Sequence, residues 1–174
     1  MLLPVRRIVT HNDEQGQSYV LKDGAATNTL GLLTELWTTS GGAHDHATTD
    51  DAGAASISLG PVSRGTVFRY FQIPPESASA HLSREEKQKI WDDLFKSWNA
   101  PHAQPDTSRD PGMHATETTD YIILLSGQIT LVLDKEEVTL KPLDCVIQRG
   151  TNHAWVNRGS EDALLMAVLV DAKG

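Results

Sequence analysis

The chain has 174 residues, 39% of them hydrophobic, with a formal net charge of −8. That is enough for one domain with its own core and too apolar for disorder. The acidic balance gives no basic footprint for nucleic acid, anionic membranes would repel it, and no run of about 18 apolar residues exists to span a bilayer.

The start, "MLLPVRRIVTHNDE", carries only a short apolar patch, broken by Pro4 and Arg6-Arg7, so no signal peptide is expected. Residues 5–40 read as irregular β segments: "RRIVTH", "QSYVLKD" and "LGLLTELWTT" sit between Gly, Asp and Asn turns. Residues 40–64 are rich in Gly, Ala, Ser, Thr and Asp and read as loop. "TVFRYFQIPP" (66–75) is a strand that Pro74-Pro75 ends. Over 1–75 the expectation is thus N-terminal strands and a loop.

Residues 83–99 predict the one helix. Ser83 and Glu86 form a capping box, and Ile90, Trp91, Leu94, Phe95 and Trp98 share one face. That face packs on a sheet, meets a second subunit, or forms a lid over a ligand mouth. A Pro-rich connector with a solvated His102 follows (99–112). Beyond it the pattern is dense β: "DYIILLSGQITLVLD" gives two strands hinged at Ser126-Gly127, and three more follow with no helix between. The fold class expected is all-β, a small antiparallel barrel or sandwich, and a closed barrel would leave no exposed edge. Cys145, in the apolar run "DCVI", is read as a buried inert thiol. A lone cysteine forms no internal disulfide and fits a reducing, cytoplasmic setting.

Two stretches carry histidines. In "HDHATTDD", His44, His46 and Asp50 have ligand spacing but are followed by Gly and Ala, so an acidic solvated loop is expected. In "GMHATETTDYIILLSG" (112–127), His114 and Asp120 precede an apolar strand that ends at Gly127, and "LDCVIQRGTNHAWVN" places His153 downstream.

On these residues the stretch 110–171 resembles the cupin family. In the first family motif, His114, Asp120 in the glutamate position and Gly127 match; Thr116 stands where a second histidine belongs, and Ser108 replaces the leading glycine. In the second, Asp144, Gly150, His153 and Asn157 match; Leu143 stands for a glycine and Gln148 for a proline. The resemblance implies a single cupin-type domain over 1–174: a jelly-roll barrel around a small-molecule cavity, with extra N-terminal strands and one inserted helix. Family members hold a metal on three histidines and a glutamate. Here His114, Asp120 and His153 remain, a two-histidine, one-carboxylate set for one divalent transition metal (Fe, Mn, Ni or Zn).

The same three residues also suit metal-free acid/base catalysis, with proton affinities set by burial and by each other. Three functions stay open. One is a lyase- or isomerase-type enzyme dehydrating, isomerising or decarboxylating a compact organic acid, enol or phenol. The others are an Fe(II) dioxygenase and a non-catalytic binder. Candidate substrate contacts are Arg69, if it faces inward from "VFRYF", Thr116, Gln148 and Trp155, which alternation puts on the face of His153. Trp155 is equally explained as core. Glu35 and Trp37 are expected to share a face and line the opposite wall. A homodimer is expected through "MLLPV" and the aromatic helix.

Overall fold

The computed structural model describes residues 2–42 and 44–173, with backbone alone at His44. Among these residues eleven strands fall into three sheets. A hairpin of β1 (Arg6–Asn12) and β2 (Ser18–Ala25) stands apart. A large sheet follows the order β3 (Thr29–Leu30), β4 (Leu33–Thr39), β5 (Thr66–Ile73), β11 (Ala163–Asp171), β6 (Thr118–Ser126), β9 (Cys145–Arg149). A small sheet has the order β10 (His153–Val156), β7 (Ile129–Leu133), β8 (Glu137–Leu140). All pairings are antiparallel. The all-β jelly-roll expectation holds, with one correction: no hydrogen-bonded ladder joins the two main sheets into a closed cylinder among the described residues.

The core lies between these sheets. Alternation turns Val67, Ile122, Leu124, Leu165, Ala167 and Leu169 inward from the large sheet, onto Ile129 and Leu140 of the small one. Gly127 makes the β6–β7 turn with φ 79°, where a Cβ would lie 2.7 Å from the Asp162 carbonyl oxygen. Only glycine fits there.

α1 is a single turn (His44–Ala47), and α2 runs Arg84–Ser97, inside the expected 83–99. Ser83 caps α2: its hydroxyl accepts from the Glu86 N–H, and the Glu86 carboxylate accepts from the Ser83 N–H. Asn99 ends it in the left-handed region, φ 56°, which asparagine tolerates. The aromatic face of α2 is spent within the chain. Phe95, 1% exposed, and Trp98 pack on Leu33 and Ile57, with Trp91 and Leu94 against the same cluster.

Two further expectations are corrected. Cys145 is exposed, because β9 turns Val146 and Gln148 inward and Cys145 outward. Glu35 and Trp37 do not share a face. A bulge between them places Glu35 opposite Arg69 but Trp37 opposite the outward Phe68. The 40–64 segment, read as loop, holds the single turn α1; His46 lies in it and Asp50 beyond it, both exposed, while the reading of the His44 side chain lies outside the described residues. No described helix is long and apolar enough to cross a membrane.

Candidate active site

His114 and His153 are far apart in sequence and adjacent in space. Their backbones form an isolated antiparallel bridge, His114 N–H to His153 O at 2.8 Å and His153 N–H to His114 O at 2.9 Å. The bridge attaches His114 to the edge of the small sheet beside β10. The chain then crosses to the large sheet within four residues and enters β6, which carries Asp120. Thus both imidazoles belong to one wall of the intersheet space and Asp120 to the other.

A cavity of about 60 Å³ lies between the walls. It is lined by His114, His153 and Trp155 from the small-sheet side, by Arg69, Phe71, Asp120, Ile122, Ala167 and Leu169 from the large sheet, and by Thr116 at the crossing. Trp91 of α2 and Trp98, at its C-cap, line it as well, so the aromatic face that reads as packing in the sequence is also a cavity wall. Ala167, directly opposite Arg69 and Ile122 in the register, leaves space for the guanidinium.

The histidine rings are 4.3 Å apart, centroid to centroid, tilted at 44°. Phe95 stacks 5.0 Å from His114, and Trp155 meets His153 edge-on at 5.7 Å. Each Nδ1 lies 2.9 Å from a backbone carbonyl, that of Gly112 for His114 and that of Thr151 for His153. A carbonyl only accepts, so each Nδ1 carries the proton and each Nε2 keeps its lone pair. Burial lowers the proton affinity of both rings. For His153 burial, aided by repulsion from His114, pushes the pKa down to about 3. Both are neutral at pH 7.

Asp120 is 5% exposed and its Oδ1 has no hydrogen-bond partner. Burial pushes its pKa up to about 6, against the Thr118 hydroxyl and the Arg69 charge, which both favour the carboxylate. The hydroxyls of Thr118 and Thr116 are themselves hydrogen-bonded at 2.7 Å.

Arg69 faces inward and is fully buried. Nη1 donates to Leu59 O at 2.9 Å, Nη2 to Ser58 O at 2.7 Å, and Nη2 lies 3.1 Å from Glu35 Oε2. Burial lowers the Arg69 pKa and raises that of Glu35, each opposed by its partner's charge. Arg69 Nε and Glu35 Oε2 lack hydrogen-bond partners. Arg69 is thus already paired, and the carboxylate that holds it, Glu35, reads in the sequence as an ordinary strand residue. Gln148 sits opposite Asp120 in the register, but its amide donates to Thr151 and it is not among the residues lining the cavity. The other motif positions hold turns: Asp144 accepts from Lys141 N–H at 2.8 Å, and Asn157 donates to the carbonyls of Ile73 and Glu161.

Two free Nε2 atoms are half of a metal site. The third ligand is not in place, since no three His, Cys, Asp or Glu side chains among the described residues lie close enough to hold one ion. The residues present therefore do not fit the two-histidine, one-carboxylate set in this conformation, although His114, Asp120 and His153 all line one cavity.

The cupin domain family model matches residues 102–169, the stretch that holds the histidine pair, Asp120 and the turn residues between them. That match supports a cupin domain over this stretch. It is similar to phomopsin biosynthesis cluster protein C' of Diaporthe leptostromiformis, 55% identical over 47 residues, 26% of this chain and 25% of that one. It is also similar to a cupin-domain-containing oxidoreductase of Neurospora crassa, 37% identical over 65 residues, 35% of this chain and 33% of that one. These matches span a quarter to a third of the relatives' own length. Among solved structures, a cupin 2 conserved barrel domain protein from Salinispora arenicola aligns with a TM-score of 0.39 at 18% identity, covering 62% of this chain and 64% of that one.

Proposed function

We propose that the chain is a small-molecule enzyme in which Asp120 moves a proton on a compact organic acid, enol or phenol, without redox chemistry. The observation that carries this reading is Asp120 itself: a nearly inaccessible carboxyl, one oxygen unpartnered, with a pKa of about 6, facing two neutral imidazoles across an apolar cavity. At pH 7 such a group is mostly ionised yet close enough to its pKa to accept and return a proton, the condition for general acid/base catalysis. The Nε2 lone pairs of His114 and His153 accept hydrogen bonds from substrate hydroxyls. The buried Arg69 charge, beside Asp120, stabilises an enolate or phenolate as it forms. At about 60 Å³ the closed cavity holds little more than water, so a substrate enters by displacing Trp91 or Trp98.

The test is isotope exchange. Enolisable organic acids and phenols are incubated with the protein in D2O, and loss of their carbon-bound hydrogens is followed by proton NMR. Wild type exchanges at least one substrate class and Asp120→Asn exchanges none. Exchange that survives Asp120→Asn refutes the assignment. Tight binding with no exchange or turnover in either protein favours a binding module.

The free Nε2 pair supports a second reading, a metal-dependent dioxygenase whose third ligand comes from substrate or from a moved Asp120. Stoichiometric binding of Fe(II), Mn(II), Ni(II) or Zn(II) by calorimetry, lost in both His114→Ala and His153→Ala, together with oxygen consumption, would establish it over the first.

A further inference from the structure

A base that takes a proton from substrate must hand it to solvent before the next turnover. Most of the surroundings of Asp120 offer no exit. The Arg69 guanidinium is spent on the carbonyls of Ser58 and Leu59 and on Glu35. Each imidazole already holds its Nδ1 proton against a carbonyl, and His153, with a pKa of about 3, does not take up a second proton at neutral pH. Ile122, Ala167 and Leu169 beside Asp120 are apolar.

One side differs. β6 turns Thr118, Asp120 and Ile122 inward together, all buried. Thr118 Oγ1 donates to Thr116 Oγ1 at 2.7 Å. The Thr118 hydroxyl also bonds the Asp120 carboxyl in the sense that favours the ionised form, which requires it to donate. A hydroxyl carries one proton and cannot donate both ways at once. The row therefore has two settings. With Asp120 ionised, Thr116 donates to Thr118 and Thr118 to Asp120. With Asp120 protonated the row reverses, and Thr118 donates to Thr116, the direction seen in the structure.

The row also leads outward. Beyond Thr116 lies an open groove of about 700 Å³, lined by Thr116, Glu117 and Thr118 and by His102 and Lys173. Among the described residues, Thr116 and Leu59 line both this groove and the inner cavity, and the Leu59 side chain is apolar. Thr116 is thus the polar side chain common to the two spaces.

We infer that Thr118 and Thr116 form a proton wire joining Asp120 to this groove, so that the base is reset while substrate fills the cavity. The wire rests on the proposed role of Asp120 as proton carrier, and both threonines act through Asp120. The loaded carboxyl turns about its soft Cβ–Cγ torsion toward Thr118 and releases its proton to Thr118 Oγ1. Thr118 releases its own proton to Thr116 Oγ1, and Thr116 releases its own to groove water. For each O–H bond that breaks another forms, and no electrons are transferred. Asp120 ends as the carboxylate and both threonines as neutral hydroxyls.

The rate of this exchange is measurable without a substrate. Aspartate labelled with carbon-13 at its carboxyl is incorporated, and the Asp120 resonance is the one missing from Asp120→Asn. At the midpoint of its titration wild type gives a single averaged line. Thr116→Val keeps the side-chain shape, removes the hydroxyl and lowers the exchange rate roughly tenfold or more, seen as broadening or splitting of that line. Thr116→Ser returns the hydroxyl and the averaged line. A bond that only pinned the crossing between the sheets would change stability and not this rate. Two separate lines in wild type, or a Thr116→Val rate equal to that of wild type, overturns the wire and leaves Asp120 as the carrier. Absence of any Asp120 titration between about pH 4 and 8 overturns the reading of Asp120 itself, and the wire with it. Should Thr116→Val fail to fold, Thr118→Val is read in the same way.

Discussion

Replacing Asp120 by asparagine should stabilise the fold above pH 6 while removing the proposed proton carrier. An unfolded aspartate has a pKa near 3.9. In the folded chain burial pushes Asp120 to about 6, the folded form holding its proton more tightly. Between these values the native state binds more protons than the unfolded one, so stability falls as pH rises through the window. A difference of about 2 in pKa corresponds to roughly 3 kcal/mol, fully expressed only above pH 6. Asparagine keeps the shape and never ionises, so the variant escapes this loss. Any change in hydrogen bonding with Thr118 adds a constant that does not vary with pH. The quantity to measure is therefore a difference of differences: urea unfolding of both proteins at several pH values, with ΔΔG plotted against pH. The variant should gain on wild type by about 1.4 kcal/mol per pH unit between about pH 4 and 6, then level off. A flat plot would mean that Asp120 is not held neutral by burial. A plot of opposite slope would mean that Arg69 dominates, with the carboxylate a stable ion-pair partner and not a poised base.

His153 carries the opposite sign: its folded pKa, about 3, lies below the ordinary 6.5, so its contribution to stability is present at neutral pH and lost on acidification through that range. Its ring resonances should not titrate between about pH 5 and 8 in NMR, and His153→Gln should flatten the acid limb of the urea stability profile. Arg69→Met leaves Glu35 as an unpaired buried charge and should cost about 3–5 kcal/mol by chemical denaturation, whereas Glu35→Leu/Arg69→Met should recover most of that loss. Leu143 is 74% exposed with φ 74°, a left-handed residue with nothing to pack against, so Leu143→Gly should stabilise by about 0.5–1 kcal/mol and raise Tm by roughly 2 °C.

The β-rich C-terminal half was legible because its signals are local. Alternation, the glycine at 127 and the capping box at Ser83 each act over a few residues, and β6, β7 and α2 fall where they point, although the segment after β7 folds as four strands and not the expected three. The pairing of His114 with His153 was legible for another reason: the family motif records a contact that no local period could reveal. The misreadings also have physical causes. A one-residue bulge moved Trp37 to the outer face, and no composition signal marks a bulge. Cys145 was read as buried because "DCVI" is apolar, but β9 alternates and its outward side is apolar too. The closed barrel assumed continuous hydrogen bonding between the sheets, and among the described residues no ladder joins the two.

The departures from the family motif separate positions that hold the chain from positions that face the cavity. Where the motif has a glycine, Leu143 still adopts the left-handed angle that a glycine would take freely, so the turn is kept at the expense of strain. Where the motif has a second histidine, Thr116 keeps a place on the cavity wall but bonds to Thr118, and through it bears on Asp120. The first change leaves the backbone path intact. The second puts a hydroxyl, in place of a strong metal donor, near a carboxyl that burial has raised. A chain that lost its function at this site would have no reason to keep Asp120 inside, unpaired on one oxygen, where it weakens the fold at neutral pH. Such local destabilisation persists where a site uses it. That cost supports the proposed reading of the cavity as a working site built around Asp120.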